Sequence, residues 1–188
     1  MNYLNDKQLI ERITQGDQGG LEVLHARYNY RLFDFAVKIL KDTLLAEEVV
    51  SDVFVNLWLG RKELSVRNPS VYLYTCTRNL AINALKAQKP FFEDIDEAAG
   101  KFLPDEETTD GLLHFEEFKA EIDKLVSIMP PQRQIVFRLN RFEGMRYKEI
   151  AEVLNISVNT VQHHMVEAVK FLARERPALT MRLDPFFS

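Results

Sequence analysis

Between Phe142 and Ala173 the sequence FEGMRYKEIAEVLNISVNTVQHHMVEAVKFLA carries two apolar stripes with room for only one tight turn between them. Ile150, Ala151 and Leu154 fall on one face of the first stripe. Val158, Val161, Met165, Ala168 and Leu172 recur at helical spacing along the second, so the two stripes face each other. The intervening Asn155-Ile156-Ser157 has the chemistry of a corner. Asn tolerates the left-handed conformation that ends a helix, Ile156 can drop into the crossing, and Ser157 can cap the second helix. Ala151 permits a close approach of the axes. The stretch therefore reads as a helix-turn-helix.

The opposite face of the second helix carries Asn159, Gln162, His163, Val166 and Lys170, a set rich in hydrogen-bonding groups. An amide such as Gln162 can pair bidentately with adenine in the major groove, which admits a helix of this width. Ser157, Thr160 and the helix N-terminus are placed to address phosphate. DNA binding is expected here. The competing reading is an amphipathic hairpin with a merely solvated outer face.

A net charge of -4 over 188 residues looks wrong for a DNA binder until it is divided along the chain. Residues 1–89 hold 12 basic and 10 acidic side chains, residues 90–126 hold 3 and 12, and residues 127–188 hold 9 and 6. Two slightly basic blocks flank an acidic one, as expected of two nucleic-acid-facing domains joined by a linker of different duty. With 46% hydrophobic residues, two small cores can form. No apolar run is long enough to span a bilayer and the start lacks a signal-peptide pattern, so a cytoplasmic location is expected. The single Cys76 excludes an internal disulfide and a cysteine-rich zinc site, and reads as a helix-packing residue.

Taken in order, Asp6 to Thr14 reads as a short helix ending at Gly16, and Asp17 caps a longer one from about Gly20 to Lys41. Its expected core face is Leu21, Leu24, Tyr28, Leu32, Phe35, Ala36 and Ile39. A third helix, Leu44 to Leu59, crowds Val49, Val50, Val53, Phe54, Leu57 and Trp58 together, more apolar surface than one core needs. Glu47, Glu48, Asp52 and Asn56 border the excess, so it reads either as a partner-docking face or as a buried central helix.

Asn68-Pro69 opens a fourth helix that runs to about Ala87. Tyr72, Tyr74, Arg78, Asn79, Asn83, Lys86 and Lys89 combine rings, amides and positive charge, the mixture that captures unstacked bases and single-strand backbone. Val71, Leu73, Leu80 and Ile82 leave the packing face incomplete, and Tyr74 is the ring expected to complete it. Periodicity fades from Phe91 to Asp110 in an acidic stretch read as a linker. Helical pattern resumes from Leu112 to Ile128, breaks at Met129-Pro130-Pro131, and returns from Arg133 to Phe142, where Gly144 closes it. The expected fold is all-α, with helical domains at residues 1–89 and 112–176, an acidic linker at 90–111 and a tail at 177–188.

With these segments in hand, nearly the whole chain resembles a bacterial RNA polymerase sigma factor of the sigma-70 family, in its extracytoplasmic function class. EEVVSDVFVNLW resembles the helix that such factors lay against the clamp of core RNA polymerase. NPSVYLYTCTRNLAINALK resembles the segment that reads and melts the minus-10 promoter element, and the C-terminal block resembles the reader of the minus-35 element. The resemblance assigns Glu48, Asp52, Phe54 and Trp58 to the polymerase contact. It assigns Arg67, Asn68, Pro69, Ser70, Tyr72, Arg78, Asn79, Asn83 and Lys86 to the minus-10 site. Ser157, Asn159, Thr160, Gln162, His163, Val166 and Lys170 fall to the minus-35 site. Asn83 and the His163-His164 pair depart from the commoner family pattern, so no promoter sequence is carried over. The resemblance further implies a linker seated in a basic polymerase channel, where the charge run by itself also reads as plain solvated disorder, and an anti-sigma partner, which is often membrane-anchored. It implies no cofactor, metal or small-molecule substrate.

Two rival functions fit parts of the chain. A stand-alone helix-turn-helix repressor or activator accounts for the C-terminal block but leaves the amide-rich helix and the docking face without purpose. A metal hydrolase built on His25, His114, His163 or His164 lacks any inward pair at ligand spacing, and adjacent residues of a helix point about 100 degrees apart. An enzyme is therefore not expected.

Overall fold

A computed structural model describes residues 4–88 and 122–175 of the chain. The expected linker at 90–111, the tail at 177–188, Lys89 and the helix start at Leu112 lie outside the described residues. Every regular element among the described residues is helical. The chain divides into two compact units, one of Met1–Ile95 with the short piece Glu152–Asn155, the other of Asp96–Ala151 and Ile156–Ser188.

In the first unit, α1 (Asp6–Thr14) opens on a reciprocal cap. Asn5 Oδ1 accepts from the Gln8 N–H at 3.0 Å, and Gln8 Oε1 accepts from the Asn5 N–H at 2.9 Å. Gly16, at φ 86°, turns the chain. Asp17 then caps α2 (Gln18–Leu40) by accepting from the Gly19 N–H at 2.8 Å. Gly20 eases the close crossing of α1 and α2, because a Cβ there would sit a tight 3.2 Å from Arg12 Cβ and 3.3 Å from the Leu9 carbonyl oxygen and its neighbours would have to give. Lys41 closes α2 in the left-handed conformation at φ 57°. Asp42 caps α3 (Thr43–Leu59) through the Leu45 N–H at 3.1 Å.

A 3-10 turn, Arg61–Glu63, leads to α4 (Pro69–Gln88), whose start is the expected Asn68 cap followed by proline. Helix α2 packs against α1, α3 and α4, and α3 packs against α4. Leu9, Ile13, Leu24, Leu32, Leu57 and Leu73 are fully enclosed between them. Tyr74 is buried edge-on to Phe35, their ring centroids 5.0 Å apart. The expected packing face of α4 is corrected in part. Thr77 and Ala81 are buried while Leu80 and Ile82 are half-buried, because Thr77 returns its hydroxyl to the Leu73 carbonyl at 2.8 Å and so enters the core satisfied. On α2, Leu40 is buried where Leu21 and Ile39 are half-buried.

In the second unit, residues 122–127 are helical and form the described part of α5. Helix α6 (Pro131–Arg141) begins two residues before the expected Arg133. Pro131 takes the first helical position of α6, where its missing N–H costs nothing. Gln134 is buried and donates to the Ser127 and Met129 carbonyls at 2.9 and 2.8 Å, which fastens this turn. Helices α7 (Tyr147–Leu154) and α8 (Val158–Glu175) follow in the chain, and α8 packs against α6. Val161, Met165, Ala168 and Leu172 line the buried side of α8, as the spacing predicts. Val158 does not join them: as the first residue of α8 it lies beyond the covered turns and is 39% exposed. On α7, Val153 is buried with Ile150 and Ala151, whereas Leu154 is half-buried.

Candidate nucleic-acid interface

The corner ahead of α8 has the expected chemistry. Asn155 sits at φ 53°, and the Ile156 N–H returns to the Ala151 carbonyl at 3.1 Å. Ser157 Oγ accepts from the Thr160 N–H at 3.0 Å and lies 2.8 Å from Thr160 Oγ1. Both hydroxyls are thus engaged in holding the helix start.

Beyond that cap, Asn159, Gln162, His163, Val166 and Lys170 are all exposed, together with the first-turn Val158. Lys170 is not a free cation: it donates to Glu167 at 3.0 Å, and this bond holds the Glu167 carboxyl below its usual range. The two histidines divide their roles. His163 looks outward, whereas both ring nitrogens of His164 are buried without a hydrogen-bond partner. Burial pushes the His164 pKa down from 6.5, and the neighbouring charges of His163 and Arg133 push it further. Among the described residues no group of three or more His, Cys, Asp or Glu side chains is placed to hold a metal ion.

Helix α4 presents Asn79, Asn83 and Lys86 to solvent at spacings of four and three, in line with the half-buried Tyr72 about two turns earlier. Arg78 donates to Asn79 Oδ1 at 3.2 Å, which orients that amide. Burial and the adjacent Cys76 push the Tyr72 phenol up to about 12, and burial raises the Cys76 thiol. Arg67 is exposed just ahead of the helix. Two neighbours are corrected: Pro69 is buried and the Ser70 hydroxyl is turned inward, because the first turn of α4 is packed into the unit. Neither offers DNA its side chain.

On α3 the division is sharper than hydropathy suggested. Val49, Val50, Val53 and Leu57 are core residues, and so is Phe54, 5% exposed with its ring edge-on to His25 at 4.7 Å. Phe54 therefore supports the surface from beneath and cannot itself contact a partner. The outward stripe is Leu44, Glu48, Asp52, Val55 and Leu59, where the three apolar members are 73%, 48% and 70% exposed. Leu44, Val55 and Leu59 escaped the sequence reading, although spacings of three and four from Glu48 and Asp52 place them on that face. Trp58 is half-buried; the Arg61 guanidinium lies 4.3 Å over its ring and donates to its carbonyl at 2.8 Å.

No helix among the described residues is long and apolar enough to cross a membrane. The family model described as Sigma-70 region 2 matches residues 24–91, which holds α3 and α4, and that described as Sigma-70, region 4 matches residues 119–172, which holds α6, α7 and most of α8. The chain is similar to the RNA polymerase sigma-H factor of Pseudomonas aeruginosa, at 26% identity over 96% of this chain and 94% of that one. It is similar to the ECF RNA polymerase sigma-E factor of Escherichia coli K12, at 27% identity over 88% of this chain and 91% of that one. Among solved structures, that of CnrH in complex with the cytosolic domain of CnrY covers 92% of this chain and 97% of its own, with a TM-score of 0.56 at 19% identity, a likeness of fold. Two matched regions in the right order, on a chain whose exposed stripes lie within them, establish that it belongs to the sigma-70 family of RNA polymerase sigma factors, in the extracytoplasmic function group.

Proposed function

We propose that the chain docks on core RNA polymerase, directs it to specific promoters and helps open the DNA for initiation. The observation that carries this is the coexistence, on one chain, of two DNA-suited stripes and a third stripe suited to neither strand of DNA. Helix α8 offers Asn159, Gln162, His163 and Val166 as readers of the minus-35 major groove. Arg67, Asn68 and the α4 stripe of Tyr72, Asn79, Asn83 and Lys86 serve as the minus-10 reader, with Arg78 orienting Asn79. The α3 stripe of Leu44, Glu48, Asp52, Val55 and Leu59, flanked by Trp58, is the polymerase-docking face. In this assignment residues 1–89 form the docking and melting domain, 90–111 the acidic linker and 112–176 the upstream reader.

Energetics favour such a division. Unstacking promoter bases costs a few kcal/mol per step, and stacking or amide pockets recover roughly 1 to 3 kcal/mol per captured base. Neither reader has to bind tightly alone, because two weak readers tethered on one polymerase gain from effective concentration. The chain acts in the cytoplasm as a regulatory, non-catalytic subunit. CnrH is seen with the cytosolic domain of CnrY. By analogy an anti-sigma protein, anchored in the membrane, is the partner expected to hold this chain in check.

Gel-shift titration of promoter DNA, with and without core polymerase, tests the reading. The expected result is specific binding by the reconstituted holoenzyme and none by the chain alone at nanomolar concentration and near-physiological salt. Tight specific binding without polymerase would favour a stand-alone repressor or activator.

A further inference from the structure

Arg27 and Tyr28, consecutive on α2, both reach back to the first residue of α1. Arg27 donates to one carboxylate oxygen of Asp6 and the Tyr28 hydroxyl donates to the other, while the second arm of the guanidinium meets the Leu4 carbonyl at 3.0 Å. A carboxylate that takes one donor on each oxygen is held in place and in orientation. Tyr28 is buried, and its hydroxyl proton is retained far above the usual phenol range, first by burial and then by the Asp6 carboxylate it serves. Asp6, Arg27 and Tyr28 thus fasten the start of α1 to α2.

Helix α1 also packs against α4 itself and against the 3-10 turn Arg61–Glu63. The segment 64–68 therefore leaves one element that rests on α1 and enters another. It ends in the exposed Arg67 and in Asn68, whose side chain accepts from the Val71 N–H at 3.4 Å and whose carbonyl accepts from the Tyr72 N–H at 3.0 Å. With Pro69 buried behind it, this corner is held between two elements that both rest on α1.

From this juxtaposition we infer that Asp6 and Tyr28 are positioning residues for strand opening: they set the Arg67–Asn68 corner at the head of α4 without touching DNA. The inference rests on the reading of that corner and of α4 as the minus-10 surface. Capture of an extruded base requires its pocket in place, and a misplacement of about 1 Å costs up to roughly a hundredfold in comparable positioning problems.

The test uses holoenzyme reconstituted from core polymerase and the full chain carrying Tyr28→Phe, which deletes one hydroxyl and keeps the ring, or Asp6→Asn, which keeps an acceptor and loses the charge. Permanganate reactivity of the opened strand, base preference at each minus-10 position, base preference at the minus-35 element and affinity for core polymerase are measured together. Tyr28→Phe is expected to slow opening roughly tenfold and to flatten preference at the minus-10 bases, with the other two readouts at parental values; Asp6→Asn falls between. Should Tyr28→Phe fail to fold, Asp6→Asn carries the test. Parental opening and parental minus-10 preference in a folded variant would overturn the positioning role. So would a loss that appears equally in core affinity and at the minus-35 bases, since that marks general loosening. If the parental chain itself opens no promoter with core polymerase, the reading of α4 fails first and this role with it.

Discussion

Truncation of Leu59 to alanine separates a docking residue from a core residue on one helix. Leu59 is 70% exposed, so its loss removes little packing and is expected to change stability by about 0.5 kcal/mol or less. Full burial of a leucine is worth about 1.5 to 3 kcal/mol, and seven tenths of this side chain remains to be covered when a partner arrives. Leu59→Ala should therefore weaken core polymerase binding by about 1 to 2 kcal/mol, or roughly 5- to 30-fold. Leu57, two residues earlier and fully enclosed, behaves in the opposite way: Leu57→Ala should cost about 2 to 5 kcal/mol of stability. Thermal melting with fluorescence titration against core polymerase measures both quantities. Parental affinity in Leu59→Ala, or a Tm drop as deep as that of Leu57→Ala, would refute the assignment of the outward stripe.

On α8, Gln162→Ala should cost roughly 1 to 3 kcal/mol at one position of the upstream element and relax preference there, as read by holoenzyme binding to a randomised minus-35 library. Unchanged preference at every position would remove Gln162 from the readers. Because the folded state lowers the His164 pKa below 6.5, it binds that proton less readily than the unfolded chain; stability is intact above about pH 6.5 and falls as pH drops from there through the lowered folded value. Urea unfolding across that range should show this slope, and His164→Leu should flatten it. Asn155→Ile should destabilise the turn by about 1 to 2 kcal/mol, because a branched side chain resists the left-handed conformation at φ 53°, and Asn155→Gly should not; urea midpoints decide.

Periodicity made the outer face of α8 legible, since one wrong residue spacing would have rotated Gln162 or His163 into the core. It misplaced Val158 because the first turn of a helix has no earlier turn beside it to complete the cover. On α3 an apolar run gave quantity without direction. Phe54 went to the docking face on resemblance, although α3 packs against both α2 and α4 and buries that side. The true outward residues, Leu44, Val55 and Leu59, were hidden among equally apolar neighbours. Polar core groups were the least readable. Nothing in the local sequence says that Gln134 will satisfy two carbonyls of the preceding turn, or that Tyr28 will reach back to Asp6, because both depend on contacts made after folding.

Run-off transcription with purified core polymerase and a library of genomic promoter fragments from the source organism addresses the central claim most directly. Addition of the chain should give discrete transcripts from a subset of promoters, with permanganate-reactive bases opened only when polymerase and chain are both present. Transcription no different from core polymerase alone, or specific promoter binding by the chain that needs no polymerase, would contradict its role as a sigma factor.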